Sequence, residues 1–342
     1  MSEHQIKVTT RDGHELSFGC SDDCDVVSAA EQVEIKLPSL CRDGGCGACV
    51  GHCDSGQYVL GQFNNTVLSN EAVAKGEVLL CRTYPKQDLH ISAPYDYAHI
   101  RFGKQNMRQA TIIHLEKIAE RTVRLKLQLI EDEAGLAVEF EPGQCMELEI
   151  PGTDIRRAYS LANTGNWHGE LEFLIRLQPE GKFSDYLNQQ AQPGQILNVY
   201  GPNGAFGLQA DSFSPAIFIA GGTGLAPFLS ILRRMAEWGE DRAIHLLFGV
   251  NQENELFCTE ELEKLQQQLP SLTVTLCVWK PAEAWSNGFR GTPADALQQS
   301  LSDKPDGYDL YLCGPPLMIS AARQVAISQG IDEQKIYSEK FG

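Results

Sequence analysis

No stretch of this chain approaches about 18 uninterrupted apolar residues, so no transmembrane helix is expected. Basic residues are scarce, with 28 Lys and Arg against 45 Asp and Glu. The resulting formal net charge of −17 repels phosphate backbones and excludes nucleic acid as an expected partner. Acidity of this kind suits docking to a basic protein face, and Asp22, Asp23 and Asp25 form one acidic knot. No secretory leader is expected, since MSEHQIKVTT opens directly as a strand. No internal repeat and no low-complexity tract is visible. The eight histidines are scattered, without an E-x-x-H pair or a facial-triad pattern, so the sequence shows no oxygen-activating ligand set. Cysteine is plentiful. Eleven thiols without a leader point to a reducing cytoplasm, where they stay free or bind metal and do not form a disulfide framework.

Four of those thiols carry the strongest signal. Cys41, Cys46 and Cys49 in CRDGGCGAC, answered by Cys81 in VLLC, have the C-x4-C-x2-C…C spacing that holds a plant-type [2Fe-2S] cluster. Two bridged irons need four thiolates around a small rhomb, and three of them must arrive on one tight loop. Gly44, Gly45 and Gly47 are expected to take φ > 0 and to turn backbone N–H groups toward the sulfurs. Cys81 is expected to close the cage from a separate strand. Zinc would favour paired C-x2-C motifs, and only Cys46 and Cys49 form one. A Rieske centre would need two histidines, and His52 is the only one in the loop.

At 342 residues the chain is long for one ordinary domain. Its patterning predicts a multi-domain α+β and α/β protein in three parts. Residues 1–98 read as a small β-rich ferredoxin domain, with strands QIKVTT, ELSFGC, GQYVL, EVLLC and DLHISA and a helix over 26–33. APYDYAHIRFGK, with Pro94 and Gly103, reads as a linker. Residues 104–210 carry ATIIHLEKI, TVRLKLQLI, CMELEI, LEFLIRL and ILNVYG between turns, which predicts an antiparallel β-barrel. From 211 to 342 strands alternate with helices, which predicts a parallel, doubly wound Rossmann-like sheet.

In the barrel, Arg157-Ala158-Tyr159-Ser160 is the expected flavin segment: a guanidinium pairs with pyrophosphate, and a phenol ring offers a stacking face. Gly181-Lys182-Phe183-Ser184 opens a short helix whose free N–H groups suit a second phosphate. AIFIAGGTGLAPFLSILRRM is a buried strand, a Gly-rich turn and a helix. Gly222, Thr223 and Gly224 are expected to admit a dinucleotide pyrophosphate, with Pro227 in the first helical turn. YLCGPPLM places Cys313 and Gly314 at the ligand edge of the sheet, Cys313 to pack on the nicotinamide and not to act as a nucleophile. Glu253 and Glu255, after the second strand of this part, would repel a 2′-phosphate, so NADH is the expected donor.

The order CRDGGCGAC, RAYS, GGTGLAP, CGPP and terminal EKF resembles the three-domain ferredoxin-NAD(+) reductases that serve bacterial oxygenases. Within that group LLCRTYPKQDL, FEPGQCMELEIPGTD and LEFLIRLQPEGKFSDYL are similar to the reductase components of soluble methane monooxygenase-type diiron monooxygenases. Reductases of phenol hydroxylase and of Rieske-type aromatic-ring dioxygenases share the architecture. Where methane monooxygenase reductases often carry an acidic run before the fourth cysteine, this chain reads LSNEAVAKGEVLL. The resemblance implies a β-grasp first domain and FAD held by Arg157, Tyr159 and Ser160, with Ser160 near the flavin N5. It further implies NADH over Gly222 to Pro227 and Cys313, with Glu339 and Phe341 on the nicotinamide side. The implied acceptor is the hydroxylase component of an oxygenase. Hydride transfer delivers two electrons and an iron-sulfur cluster accepts one, which is the mismatch a flavin bridges.

Overall fold

The computed structural model describes residues 2–103, 107–209, 211–301 and 307–340. The chain divides into two compact units, Met1–Asn106 with Asn203–Ala205 and Gly342, and Met107–Pro202 with Phe206–Phe341.

In the first unit β1 (Glu3–Thr9) and β2 (Glu15–Ser21) pair antiparallel, and the inward positions Ile6, Val8, Leu16, Phe18 and Cys20 follow the two-residue period of a half-buried sheet. α1 (Val26–Gln32) starts where Asp25 accepts the Ser28 N–H at 3.0 Å, and it buries Val26, Val27, Ala29 and Ala30. There follow β3 (Ile35–Lys36), β4 (Val50–Ser55), β5 (Tyr58–Leu60), α2 (Asn70–Ala74), β6 (Glu77–Leu79), β7 (Thr83–Pro85), β8 (Leu89–Ser92) and β9 (Arg101–Phe102). The main sheet runs β2-β1-β8-β4-β6, with β1 and β8 parallel, which is the β-grasp arrangement. The sequence reading lacks β4, because its buried position is Gly51, which has no side chain to mark the period.

Two expectations are corrected here. Cys81 does not sit in a strand: β6 ends at Leu79, and a 3-10 turn over Leu80–Arg82 carries the thiol. APYDYAHIRFGK is not a free linker over its described length. Tyr95 and Ile100 are core residues, Arg11 pairs with Asp96 at 2.6 Å, and β9 pairs with β3. Lys104, at its end, lies outside the described residues.

The second unit opens with β10 (Met107–Ala119), β11 (Thr122–Leu129), β12 (Cys145–Glu149), β13 (Arg156–Ser160), β14 (Glu170–Arg176), α3 (Lys182–Gln189) and β15 (Ile196–Asn203). Its sheet runs β13-β12-β15-β10-β11-β14. The two edges then meet: Leu161 bridges Phe173, and the Ala162 N–H donates to the Glu172 carbonyl at 2.8 Å, so the sheet closes into a barrel around Ile112, Leu125, Leu127, Phe173 and Leu197.

Next come β16 (Ala216–Gly221), α4 (Leu225–Trp238), β17 (Ile244–Val250), α5 (Thr259–Gln268), β18 (Leu272–Val278), β19 (Phe289–Arg290), α6 (Pro293–Ser300), β20 (Asp309–Gly314), α7 (Pro316–Ser328) and β21 (Ile336–Lys340). The sheet order β19-β18-β17-β16-β20-β21 is parallel throughout. Connections leave β16 toward β17 on one side, while β20 flanks it on the other. The switch point therefore falls between β16 and β20, where open α/β sheets bind ligands at the carboxyl ends of their strands.

Candidate functional site

The cysteine loop brings its four thiols together two by two: Cys41 hydrogen-bonds Cys46, and Cys49 hydrogen-bonds Cys81. That sharing pulls Cys41 down to about 7 and lowers Cys81, while the hydrogen bond to each partner, together with burial, raises Cys46 and Cys49. Among the described residues no three His, Cys, Asp or Glu converge on a single ion position. Two thiol pairs suit a binuclear cluster better than one tetrahedral ion. Backbone N–H groups point at the sulfurs as the glycines suggest: Gly45 donates to Cys41 Sγ at 3.2 Å, Ala48 to Cys46 Sγ at 3.5 Å and Cys41 to Cys46 Sγ at 3.4 Å. Gly44 and Gly47 have φ of 79° each, and Arg42 joins them at 60°. Gly45 does not adopt the positive φ expected of it, because its N–H already faces Cys41 without one.

On β13 the flavin candidates separate by burial. Arg157 is exposed and among the described residues donates only to its neighbour Arg156 O, at 2.7 Å, which leaves its fork open to an anion. Arg156, by contrast, is taken by Glu149 at 2.8 Å and lies over the Tyr200 ring. Tyr159 meets Phe183 of the GKFS segment at 5.1 Å between ring centroids, so the two flavin segments do converge. α3 begins at Lys182, with Gly181 as an N-cap that makes no side-chain cap, and Lys182 is exposed. The buried Ser184 hydroxyl accepts the Gln178 N–H at 2.8 Å, which braces the turn and leaves its O–H to donate.

The nucleotide turns interlock through glycine. A Cβ on Gly224 would stand 2.2 Å from Cys313 O, and one on Gly314 (φ 144°) would stand 2.9 Å from Gly221 Cα. Gly224 therefore seats the turn against β20, and it does not open toward a ligand as the sequence reading had it. Gly222 is the open one: at φ 53° its missing Cβ meets nothing nearer than Arg176 Nη1, at 3.8 Å. Thr223 is half-buried beside it, and Pro227 is buried in the first turn of α4. Arg176 ends β14, where its backbone pairs with β11, and its side chain makes no hydrogen bond or ion pair among the described residues. The sequence reading missed it; a lone Arg closing LEFLIR looks like any strand end.

The barrel and the parallel sheet touch at Ser160. Its hydroxyl donates to Glu339 Oε2 at 3.4 Å, and Glu339 is the register partner of Cys313 on the adjacent strand. All three are buried. Burial raises Glu339 to about 8, and burial also pushes the Cys313 thiol well up, so Cys313 is a neutral packing group and no nucleophile. Phe341 lies outside the described residues. Farther along the sheet edge, Glu253 accepts the Ala282 N–H at 2.6 Å and Glu255 accepts the Asn251 N–H at 3.0 Å, which fixes both carboxylates after β17.

The residues fit three groups: two irons on paired thiols, a flavin along β13 and α3, and a dinucleotide at the β16 turn. Three family profiles match in the same order. They are a 2Fe-2S iron-sulfur cluster binding domain over residues 9–86, an oxidoreductase FAD-binding domain over 109–207 and an oxidoreductase NAD-binding domain over 218–324. The chain is 35% identical over 341 residues to the anthranilate 1,2-dioxygenase electron transfer component of Acinetobacter baylyi, covering 99% of this chain and 97% of that one. It is 38% identical over 301 residues to methane monooxygenase component C of Methylosinus trichosporium, covering 87% of each. Among solved structures, the Amycolatopsis cytochrome P450 reductase GcoB superposes with a TM-score of 0.75 at 28% identity, covering 98% of both chains.

Proposed function

Because the chain belongs to the reductase family that joins a [2Fe-2S] ferredoxin domain to FAD- and NAD-binding domains, we propose that it draws electrons from NADH and delivers them to the hydroxylase component of a soluble diiron monooxygenase of the methane or short-alkane type. The observation that carries this reading is the contact of Ser160 with Glu339, which joins the flavin strand to the nicotinamide edge of the parallel sheet. The bound groups supply the electron chemistry: nicotinamide gives hydride, flavin divides the pair, and the cluster carries single electrons.

The chain's own residues bind, orient and hold protons. Arg157 pairs with flavin pyrophosphate, Tyr159 offers its ring as a stacking face, and the uncapped start of α3 at Gly181 and Lys182 takes a second phosphate. Gly222 and Thr223 line the open side of the dinucleotide turn, where Arg176 adds a positive charge against the pyrophosphate. Cys313 and Gly314 form the floor on which the nicotinamide rests. Glu339 stays protonated near neutrality through its burial, and its Oε2 accepts the Ser160 hydroxyl. In the first unit Cys41, Cys46, Cys49 and Cys81 hold the irons, and the acidic knot at Asp22, Asp23 and Asp25 offers charge to a basic partner face. The three functional modules are residues 1–98, 104–210 and 211–342, and the compartment is the cytoplasm.

A second reading keeps the same electron path and changes the acceptor to an aromatic-ring dioxygenase. It is favoured by the match along 99% of this chain to a dioxygenase electron transfer component. Anaerobic addition of NADH to the FAD- and cluster-loaded protein, followed by separate hydroxylase and dioxygenase components, tests both. Bleaching of the flavin with reduction of the hydroxylase alone supports the first reading. Reduction of the dioxygenase alone moves the assignment to the second, and no bleaching removes both.

A further inference from the structure

Between the barrel and the parallel sheet lies a group of charges that the steps above leave unused. Glu172, on β14, has a side chain only 3% exposed. It meets Arg233 Nη1 of α4 at 3.1 Å and Arg124 Nε of β11 at 3.3 Å. Glu261, on α5, completes the ring: Arg233 Nε donates to it at 2.7 Å and Arg124 Nη2 at 3.1 Å. Each guanidinium therefore touches both carboxylates. The barrel contributes Arg124 and Glu172, and the nucleotide-binding part contributes Arg233 and Glu261. Lys126 and Glu170 extend the set at 3.0 Å and keep it balanced at three charges of each sign.

Arg233 does more than pair. Its Nη1 also donates to the carbonyl of Ala162 at 2.8 Å, two residues beyond Ser160. One turn earlier on the same helix, buried Ser230 donates to Asn163 O at 2.6 Å, and one turn later Glu237 accepts from Thr164 Oγ1 at 2.9 Å. This face of α4 is thus fastened to the segment that continues the flavin strand, while the other end of α4 begins at the Gly222–Gly224 turn.

Physical chemistry separates what such a cluster does from what it does not do. Burying Glu172 and half-burying its three partners carries a desolvation penalty, so a ring of this kind is a poor source of net stability. Its strength is selectivity of geometry. Planar guanidinium forks satisfy two carboxylates and a carbonyl in one relative placement only, and any slip of α4 leaves buried charge unpaired. An apolar seam would tolerate sliding.

We infer that Arg233 is a positioning residue for hydride transfer. With Glu172, Glu261 and Arg124 it registers the nucleotide turn at the head of α4 against the Ser160 end of the flavin strand. The inference rests on the reading that this unit passes hydride from NADH to FAD.

The test uses the FAD-loaded full chain with Arg233→Lys and Glu261→Gln. A lysine keeps the charge but cannot span both carboxylates, and Glu261→Gln leaves both arginines on Glu172. Stopped-flow bleaching at saturating NADH is expected to slow about tenfold or more in Arg233→Lys and less in Glu261→Gln, since small misplacements of reacting atoms carry large rate costs. The KM for NADH and the FAD content are expected to stay near wild type. The deuterium isotope effect on bleaching is expected to rise, and the amides of residues 161–166 to exchange faster in the loaded protein. Wild-type rates in both variants would overturn the inference, as would a rate loss that follows FAD loss and disappears when FAD is added. Should Arg233→Lys fail to fold, Glu261→Gln decides alone. A wild-type protein that NADH does not bleach would sink the underlying reading instead, and that result is seen before any variant is compared.

Discussion

Ser160 at the end of a barrel strand donates its hydroxyl to Glu339 at the end of the last parallel strand, across 179 residues of chain. The carboxyl is buried and raised to about 8. Folded protein therefore keeps a proton that the unfolded chain, with an ordinary carboxyl near 4.5, releases. Stability must fall as pH climbs from that ordinary value toward about 8, at up to ~1.4 kcal/mol per pH unit, and then level off. Replacing Glu339 by Gln should flatten this segment. Thermal melts at fixed FAD are expected to show Glu339→Gln more stable than wild type at pH 8 and equal to it at pH 4. The same variant should slow NADH-driven bleaching at least about tenfold, having lost its transferable proton. Parallel melting profiles would put the proton on another group.

Two glycines two residues from one another, Gly222 and Gly224, ask different things of the backbone. A methyl on Gly224 would collide with the carbonyl of Cys313, which belongs to a buried strand and cannot withdraw. A methyl on Gly222 meets open space and is opposed only by the φ of 53°. Gly222→Ala should therefore fold and lose ~1–2 kcal/mol in urea melts, the cost of a left-handed alanine. Gly224→Ala should lose ~3 kcal/mol or more, or fail to accumulate as soluble protein. Equal losses would mean that β20 shifts to accommodate the methyl.

Legibility in the sequence followed the distance over which each feature is built. Cys41, Cys46 and Cys49 fall within nine residues, and their spacing, with Cys81, alone indicated a [2Fe-2S] cluster. The strand, turn and helix around Gly222 were equally local. Cys81 was found as a thiol but misplaced in a strand, because VLLC continues the apolar run of β6 through a 3-10 turn that hydrophobicity cannot register. The bracing contact of Ser184 was not legible for a different reason: its hydroxyl accepts from Gln178, a backbone partner that leaves no compositional trace. Glu339 came only with the family resemblance, and nothing in SEKF announces a buried acid. The ring of Arg124, Glu172, Arg233 and Glu261 was invisible, since Arg124 and Glu261 stand 137 residues apart and each looks like an ordinary surface charge.

Arg176 presents a guanidinium to the open side of Gly222 with no partner of its own among the described residues. A free guanidinium beside a dinucleotide turn should act on binding and leave chemistry alone. Arg176→Gln is expected to raise the KM for NADH about tenfold, equivalent to ~1.4 kcal/mol, with bleaching at saturation nearly unchanged. The wild-type KM should also rise with ionic strength and the variant's much less, because screening acts on the charge that was removed. A fall in rate at saturating NADH with KM unaltered would assign Arg176 to the transition state.

The four cluster thiols lie in the first unit, whereas Ser160, Cys313 and Glu339 lie in the second. Removing one sulfur should consequently divide the activities without abolishing both. Cys46 is the informative choice, because its sulfur is paired with Cys41 and accepts from two backbone N–H groups, those of Cys41 and Ala48. A serine there keeps the volume and a hydrogen-bonding atom but offers iron a harder, poorer ligand. Cys46→Ser should lose most of its iron and labile sulfide, and with them NADH-dependent reduction of one-electron protein acceptors. NADH-driven bleaching of the flavin should stay within about twofold of wild type, as should reduction of ferricyanide, which takes electrons from flavin directly. Iron and sulfide analysis, the visible spectrum and the two assays on one preparation decide it. Loss of both activities in protein that still holds FAD would show that flavin reduction depends on the first unit, against the modular reading.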